Sequence, residues 1–223
     1  MAWSWKSTEA SGATAHLARD KAGLLYASAF GRLYALGDAG KGEWIWPDDD
    51  DPLSPVAPVE AQLGTPSIGQ EGRIFVGTAG EGGWEDDPLA LPPQVLCLNK
   101  GGTGRWAFDV NGPVRAAPTV LLDGDLMILT ADGTLFKLHD YGQDKVFRRW
   151  SIPDEPAPGA HAFDPLPGVQ VLVDEREGFE PAAWILGVDS VSQVRWWTED
   201  GEGTATEVAE IAWTVPLPAG TRA

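Results

Sequence analysis

The chain has 223 residues, with 16 lysines and arginines against 33 aspartates and glutamates, and a formal charge of −17. Such an acidic surface repels phosphate backbones and anionic lipids, which argues against nucleic acid and membranes as partners. Eleven tryptophans argue against a disordered acidic chain, because their rings supply apolar area that can be buried. The 27 glycines and 18 prolines fit one domain with many tight turns.

The N-terminal residues lack a charged leader followed by an apolar stretch. No later window approaches the roughly 18 apolar residues that a membrane-spanning helix needs. Cys97 is the only cysteine, so neither an internal disulfide nor a thiolate metal cluster can form. We therefore expect a cytoplasmic protein without a metal or a cofactor.

A tryptophan-led segment recurs along the chain and ends each time near a proline or a turn. Its leading residues are Trp3, Trp44, Trp106, Trp150 and Trp213. Recurrence of one supersecondary unit indicates a repeat architecture. The first copy precedes every complete unit, and we expect residues 2–8 to form a closing strand.

The first complete unit, residues 9–47, shows four short strand signals in chain order. A small-residue strand at 14–17 is followed by an apolar strand at 24–27, a turn at Phe30-Gly31, a strand at 32–36 and the tryptophan strand from Trp44. Short β-branched and aromatic runs between turn residues are typical of hairpins. This order predicts a four-stranded antiparallel unit.

The second and third units, residues 60–109 and 114–153, repeat this series, with Asp132-Gly133 as a tight turn in the third. The links that run from Leu36 to Trp44 and from Leu98 to Trp106 align with two glycines in register. The fourth unit, residues 158–217, departs from the pattern. Its first three strands are predicted at 160–163, 169–173 and 183–186, and its last at Trp213, beyond a Glu/Thr-rich stretch.

Four strands per unit predict an all-β fold, a small β-propeller of about four blades formed by residues 1–223 as one domain. The tryptophans are then expected to fill wide apolar slots between neighbouring blades. Because the N-terminal segment is left over, three closures stay open. They are a ring of four blades with an extra strand, five blades with one incomplete, or half of an eight-bladed ring completed by a second copy.

Residues 23–44 and 123–150 resemble the PQQ-like, or quinoprotein-type, β-propeller repeat, to which BamB-like assembly propellers also belong. The resemblance implies seven or eight blades in a whole ring. It also implies that quinone-dependent enzymes use a larger propeller with dedicated cofactor and calcium ligands. This chain has neither that length nor an adjacent cysteine pair, so we expect no quinone.

Two insertions combine carboxylates with one aromatic ring and are the predicted partner-binding residues. One holds Trp84, Glu85, Asp86 and Asp87, and the other holds Glu177, Phe179 and Glu180. Long loops on a rigid scaffold carry binding surfaces more often than strands do. The two insertions either form one acidic-aromatic rim or are variable loops.

Other chemical motifs are sparse. Asp48, Asp49, Asp50 and Asp51 cluster carboxylates, but without the alternating spacing of a calcium loop, which favours a solvated loop. His16 and His161 are expected on innermost strands, at positions that are not equivalent and without a third ligand. No catalytic motif is present.

These features predict a non-enzymatic protein-binding or assembly scaffold with an acidic-aromatic loop surface. The expected partner is another protein with a basic or mixed surface, with a homodimer as an alternative. A small-ligand or carbohydrate-binding module is the second hypothesis, since acids beside aromatic rings suit sugars. An enzyme that uses channel carboxylates is the third.

Overall fold

The part of the chain that the computed structural model describes contains sixteen β-strands and one 3-10 helix, Gln70–Gly72. The described residues are 16–29, 31–37, 40–48, 63–81, 90–142, 145–154, 162–165, 170–177, 179–201 and 204–218. The prediction of an all-β fold is confirmed. The expected closing strand at 2–8, the residues Trp84 to Asp87, the carboxylates Asp49 to Asp51 and His161 lie outside the described residues.

The strands form four antiparallel sheets, each built from four consecutive strands in chain order. The first sheet contains β1 (His16–Arg19), β2 (Leu25–Ala29), β3 (Arg32–Leu36) and β4 (Gly42–Trp46). The second contains β5 (Ser67–Ile68), β6 (Ile74–Gly77), β7 (Gln94–Leu98) and β8 (Gly104–Asp109). The third contains β9 (Thr119–Val120), β10 (Leu126–Leu129), β11 (Leu135–Asp140) and β12 (Val146–Ile152). The fourth contains β13 (Leu172–Asp174), β14 (Ala182–Leu186), β15 (Ser190–Gly201) and β16 (Thr204–Pro216).

One tryptophan occupies the same register position in the last strand of every sheet. A β-bulge immediately follows its partner in the third strand of each sheet. A bulge re-aims the side chains beside it, so its recurrence gives the four rings a common direction. The pairs are Trp44 with Ala35, Trp106 with Cys97, Trp150 with Lys137, and Trp213 with Gln193.

Three buried clusters hold consecutive sheets together. Trp46 and Leu33 of the first sheet pack with Leu96 of the second. The other two clusters join the second sheet to the third and the third to the fourth. No buried cluster of the described residues joins the fourth sheet back to the first. The described part of the chain therefore shows three inter-sheet interfaces and no closed ring.

An ion pair also crosses each of these three interfaces. Asp20, Arg73 and Lys100 lie in turns and Asp140 at a strand end, all on the side of the sheets where the first strand turns into the second. Lys137 and Glu207 lie within strands β11 and β16. The Lys100 to Asp20 pair is long, at 3.5 Å, whereas the other two are direct bonds. The direct bonds are Arg73 Nη1 to Asp140 Oδ2 at 2.6 Å and Lys137 Nζ to Glu207 Oε1 at 2.7 Å.

The fourth sheet differs from the sequence prediction. Ala162 and Phe163, predicted in its innermost strand, belong to no strand, and the sheet begins at Leu172–Asp174. The Glu/Thr-rich stretch is part of a hairpin in which β15 and β16 pair over twelve positions. Acidic composition concealed these strands, although Val208, Ile211 and Val215 are the β-branched residues that strands favour.

Candidate binding surface on the fourth sheet

The register of the fourth sheet assigns its side chains to two faces. Ala183, Ile185, Val194 and Trp196 belong to the cluster shared with the third sheet. Because successive side chains in a strand point to opposite faces, the alternate residues face away from that cluster. They form an outward face with no neighbouring sheet among the described residues.

Two rows of cross-strand partners make one half of this outward face apolar. We call the six apolar side chains of these rows, which leave out only Gln193, the apolar half. Leu172 is 67% exposed, Val215 53%, Trp213 39% and Leu186 38%. Exposed apolar side chains that adjoin each other on paired strands mark a binding surface more often than scattered ones do. The two rows are Leu172, Trp184, Gln193 and Trp213, and Leu186, Val191 and Val215.

The next row and the turn between β13 and β14 enclose a cleft of about 380 Å³. Ala182 and Gln193 are buried at its base. We call this region the polar half of the outward face. Its remaining lining residues are Asp174, Arg176, Phe179, Glu180, Trp184 and Arg195.

The charges of the cleft are paired. Arg176 Nε donates to both carboxylate oxygens of Asp174, at 2.9 and 2.8 Å, and this guanidinium lowers the pKa of Asp174. The same guanidinium carbon lies 5.0 Å from the centroid of the Phe179 ring. Arg195 Nε donates to Gln193 Oε1 at 3.2 Å, and Arg195 Nη1 lies 3.7 Å from Glu180 Oε2. The two guanidinium groups balance the two carboxylates.

Three of the predicted site residues lie at this cleft or beside it. Phe179 and Glu180 line it, and Glu177 is exposed in the same turn. The described anchors of the other insertion, residues 78–81 and 90–93, join the second and third strands of the second sheet, whereas residues 175–181 join the first and second strands of the fourth. These connections leave opposite ends of the sheets, so the anchors do not bring the two insertions to one rim.

Sequence reasoning missed Trp184, Arg195 and Trp213, which complete the surface. Each lies on a strand of the fourth sheet, where the sequence departs from the repeat. The available signal was alternation in β15, where Gln193 and Arg195 alternate with apolar residues, whereas all five residues of β14 are apolar. Alternation identifies two faces but not which of them lacks a neighbour.

A second group of titratable residues lies between the third and fourth sheets. Lys137 Nζ contacts Glu207 at 2.7 Å, Asp125 at 3.2 Å and Asp123 at 3.6 Å, and lies 5.6 Å from the centroid of the Trp196 ring. Burial lowers the pKa of Lys137, but the Glu207 hydrogen bond and the three carboxylate charges outweigh it, so the pKa is raised above its usual value. The Lys137 side chain is almost fully buried, which keeps a substrate from its amine. We interpret the group as a structural tie for the long hairpin.

His16 is the one described residue of the two candidate histidines. His16 Nδ1 lies 3.0 Å from Thr65 Oγ1, which gives this histidine a partner in the segment that precedes β5. No three histidine, cysteine or acidic side chains within the described ranges converge in a way that could hold a metal ion. No helix in those ranges has the length and apolarity to cross a bilayer.

Comparison with known proteins adds no function. No family model and no curated protein matches the chain. Among solved structures, the chain is similar to a protein of unknown function from Bacteroides caccae, with a TM-score of 0.48 and 12% sequence identity. The match covers 92% of this chain and 64% of the other, so the chain spans less than two thirds of that protein. The resemblance to PQQ-like repeats stays a prediction.

Proposed function

We propose that the chain is a non-enzymatic binding module that recognises another protein through the outward face of its fourth sheet. The observation that carries the proposal is the apolar half, where Leu172, Leu186, Trp213 and Val215 are exposed on regularly paired strands. A contiguous apolar surface costs free energy in water and is favourable to cover. Covering it with a partner would remove that cost.

The repeat suggests what kind of surface the partner presents. In the first three sheets the equivalent tryptophans pack against the next sheet, and Trp44 also donates its indole N–H to the Lys100 carbonyl at 3.0 Å. Trp213 has the same register, so its ring is positioned to fill a comparable apolar slot. The partner is therefore expected to present a β-sheet face with small apolar residues.

The charge of the chain indicates which residues the partner carries around its apolar centre. The chain carries −17, and exposed Glu177, Glu180 and Glu210 border the apolar half. Opposite charges at the rim of an interface accelerate association and align the two surfaces. A partner with basic or mixed residues around an apolar centre fits this arrangement.

The architecture that we propose is an arc of propeller-like blades, in which each sheet is one blade. Supporting it, every sheet has the same strand order, and the innermost strands β1, β5 and β9 contact one another in sequence. The far face of the first sheet is not free to receive Trp213 of a second copy, since Ala27, Ala29 and Tyr34 are already buried there. We therefore favour a different protein over a head-to-tail homodimer.

Paired glutamate substitutions test this surface. The variant with Leu172→Glu and Val215→Glu places two charges in the apolar half, and Leu122→Glu places one on an exposed leucine in the turn between β9 and β10. From native lysate, the wild-type chain and Leu122→Glu should capture the same protein, and the paired variant should lose it by at least tenfold. When that protein is purified and titrated against each chain, the wild-type chain and Leu122→Glu should bind it with similar affinity. The paired variant should bind it at least tenfold more weakly.

Light scattering supplies the oligomeric state. The proposal predicts a mass near the 23.8 kDa of one chain. If the wild-type mass is twice that value and the paired variant has the mass of one chain, a second copy of the chain covers the apolar half. Equal capture by the wild-type chain and both variants would place the partner elsewhere and overturn the proposal.

A further inference from the structure

The polar half of the outward face has the chemistry of a small-ligand site distinct from the apolar half. We infer that its cleft binds a neutral sugar ring. The inference goes beyond the proposed function, since the cleft lies beside the turn between β13 and β14. Apart from Trp184 at the border with the apolar half, it is lined by groups that a flat apolar partner would leave unused. Its volume of about 380 Å³ suits one or two hexose rings.

Charge balance indicates a neutral ligand. Each guanidinium of the cleft is already directed at an acceptor within it, Arg176 at Asp174 and Arg195 at Gln193 and Glu180. A free anion would have to displace a carboxylate, and a free cation would have to displace a guanidinium. A neutral ligand needs neither exchange.

The polar atoms match hydroxyl groups in particular. Arg195 Nη1 and Glu180 Oε2 are 3.7 Å apart, too far for a direct hydrogen bond. A hydroxyl group both accepts and donates, so one placed between them would accept from the guanidinium and donate to the carboxylate. The Glu180 side chain is 70% exposed, which leaves its oxygens open to such a ligand.

Two aromatic rings complete the site. Phe179 is exposed, Trp184 is half-buried, and both line the cleft together with the polar groups. The C–H faces of a pyranose pack on aromatic rings, while its hydroxyl groups project at the edge towards polar partners. The Arg176 guanidinium lies over the Phe179 ring and stabilises the position of this wall.

The test uses the whole chain and a panel of methyl glycosides of glucose, galactose, mannose and N-acetylglucosamine. Saturation-transfer NMR should detect at least one of them, and calorimetry should give a Kd of about 1 mM for a single ring. Phe179→Ala and Glu180→Gln should each weaken binding about tenfold. Phe147→Ala, which removes an exposed ring from β12 outside the cleft, is the matched control and should bind as the wild type does.

Two outcomes would overturn the inference. One is the absence of binding to every glycoside at 20-fold above about 1 mM. The other is binding that Phe179→Ala and Glu180→Gln leave unchanged, or that appears only with charged sugars such as glucuronate. The paired Leu172→Glu and Val215→Glu variant separates this site from the proposed protein surface, because it should weaken protein capture at least tenfold and leave glycoside binding intact.

Discussion

A tryptophan occupies the same register position at the interface between the second and third sheets and on the outward face of the fourth sheet. It is buried at the first place and exposed at the second. Trp106 and Trp213 both lie beside a bulge and face the same way, yet Trp106 is 4% exposed and Trp213 is 39% exposed. The local register therefore decides where the ring points. Whether the ring is buried depends on a neighbouring sheet, and at Trp213 the described residues supply none.

The residues around the two tryptophans differ accordingly. The second and third sheets are covered on both faces, and β7 and β10 are buried throughout, as in strands with two apolar faces. The outward face of the fourth sheet instead mixes Leu172 with Asp174, and Gln193 with Arg195. This composition tolerates water, which suits a surface that is covered only when a partner binds.

Alanine substitution at Trp106 and at Trp213 should give the largest difference in the free energy of unfolding. Trp106→Ala empties a packed interface and should lower the free energy of unfolding by about 3–5 kcal/mol. Trp213→Ala removes a ring that contacts solvent and should cost less than about 1 kcal/mol. Urea unfolding of both variants measures the difference, and equal losses would mean that Trp213 is buried in solution.

Removal of the Lys137 charge, which links the third sheet to the long hairpin, should cause the next largest loss of stability. Lys137→Gln leaves Asp125 and Glu207 without their buried cation and should cost about 3 kcal/mol. Lys100→Gln is the matched control, since its ion pair with Asp20 is half-exposed and worth less than about 1 kcal/mol. If chemical denaturation shows the two variants equally stable, the Lys137 group does not hold the hairpin.

Glycine-to-alanine changes test how closely the third sheet approaches the segment that leads into the fourth. Gly133 has φ 84° and lies against the Phe163 carbonyl, whereas Gly124 has φ 91° and open space around it. Both changes strain the backbone, but Gly133→Ala should cost about 1–3 kcal/mol more because the added methyl overlaps the neighbouring chain. Thermal unfolding of the two variants would contradict this packing if their Tm values agreed.

High pH should produce the smallest of these effects. Burial and the neighbouring Asp20 raise the pKa of Tyr26 to about 12, so the folded state keeps the phenol neutral after the unfolded chain begins to ionise near pH 10. The stabilisation is complete below pH 10 and is lost as the pH rises to 12. Tyr26→Phe should flatten the fall in stability over that range, and an unchanged slope would contradict the shift.

Much of the fold could be predicted from sequence because its signals are local. The tight turns at Gly31 and Asp132-Gly133, and the tryptophan strands of the first three sheets, follow from residues close together in the chain. In the fourth sheet, the strands predicted at 169–173, 183–186 and Trp213 overlap β13, β14 and β16, but β15 was missed because acidic residues and Trp196-Trp197 obscured the long hairpin. Phe179 and Glu180 were found as loop residues, but Arg195 and Trp184 join them only through strand pairing.

Hydroxyl-radical footprinting of the chain alone tests the outward face most directly. Mass spectrometry would compare the oxidation of Trp213 and Leu172 with that of Trp46 and Trp106 in one sample, without any partner. We predict rapid labelling of the first two and protection of the second two. Protection of Trp213 equal to that of Trp106 would contradict an open face on the fourth sheet.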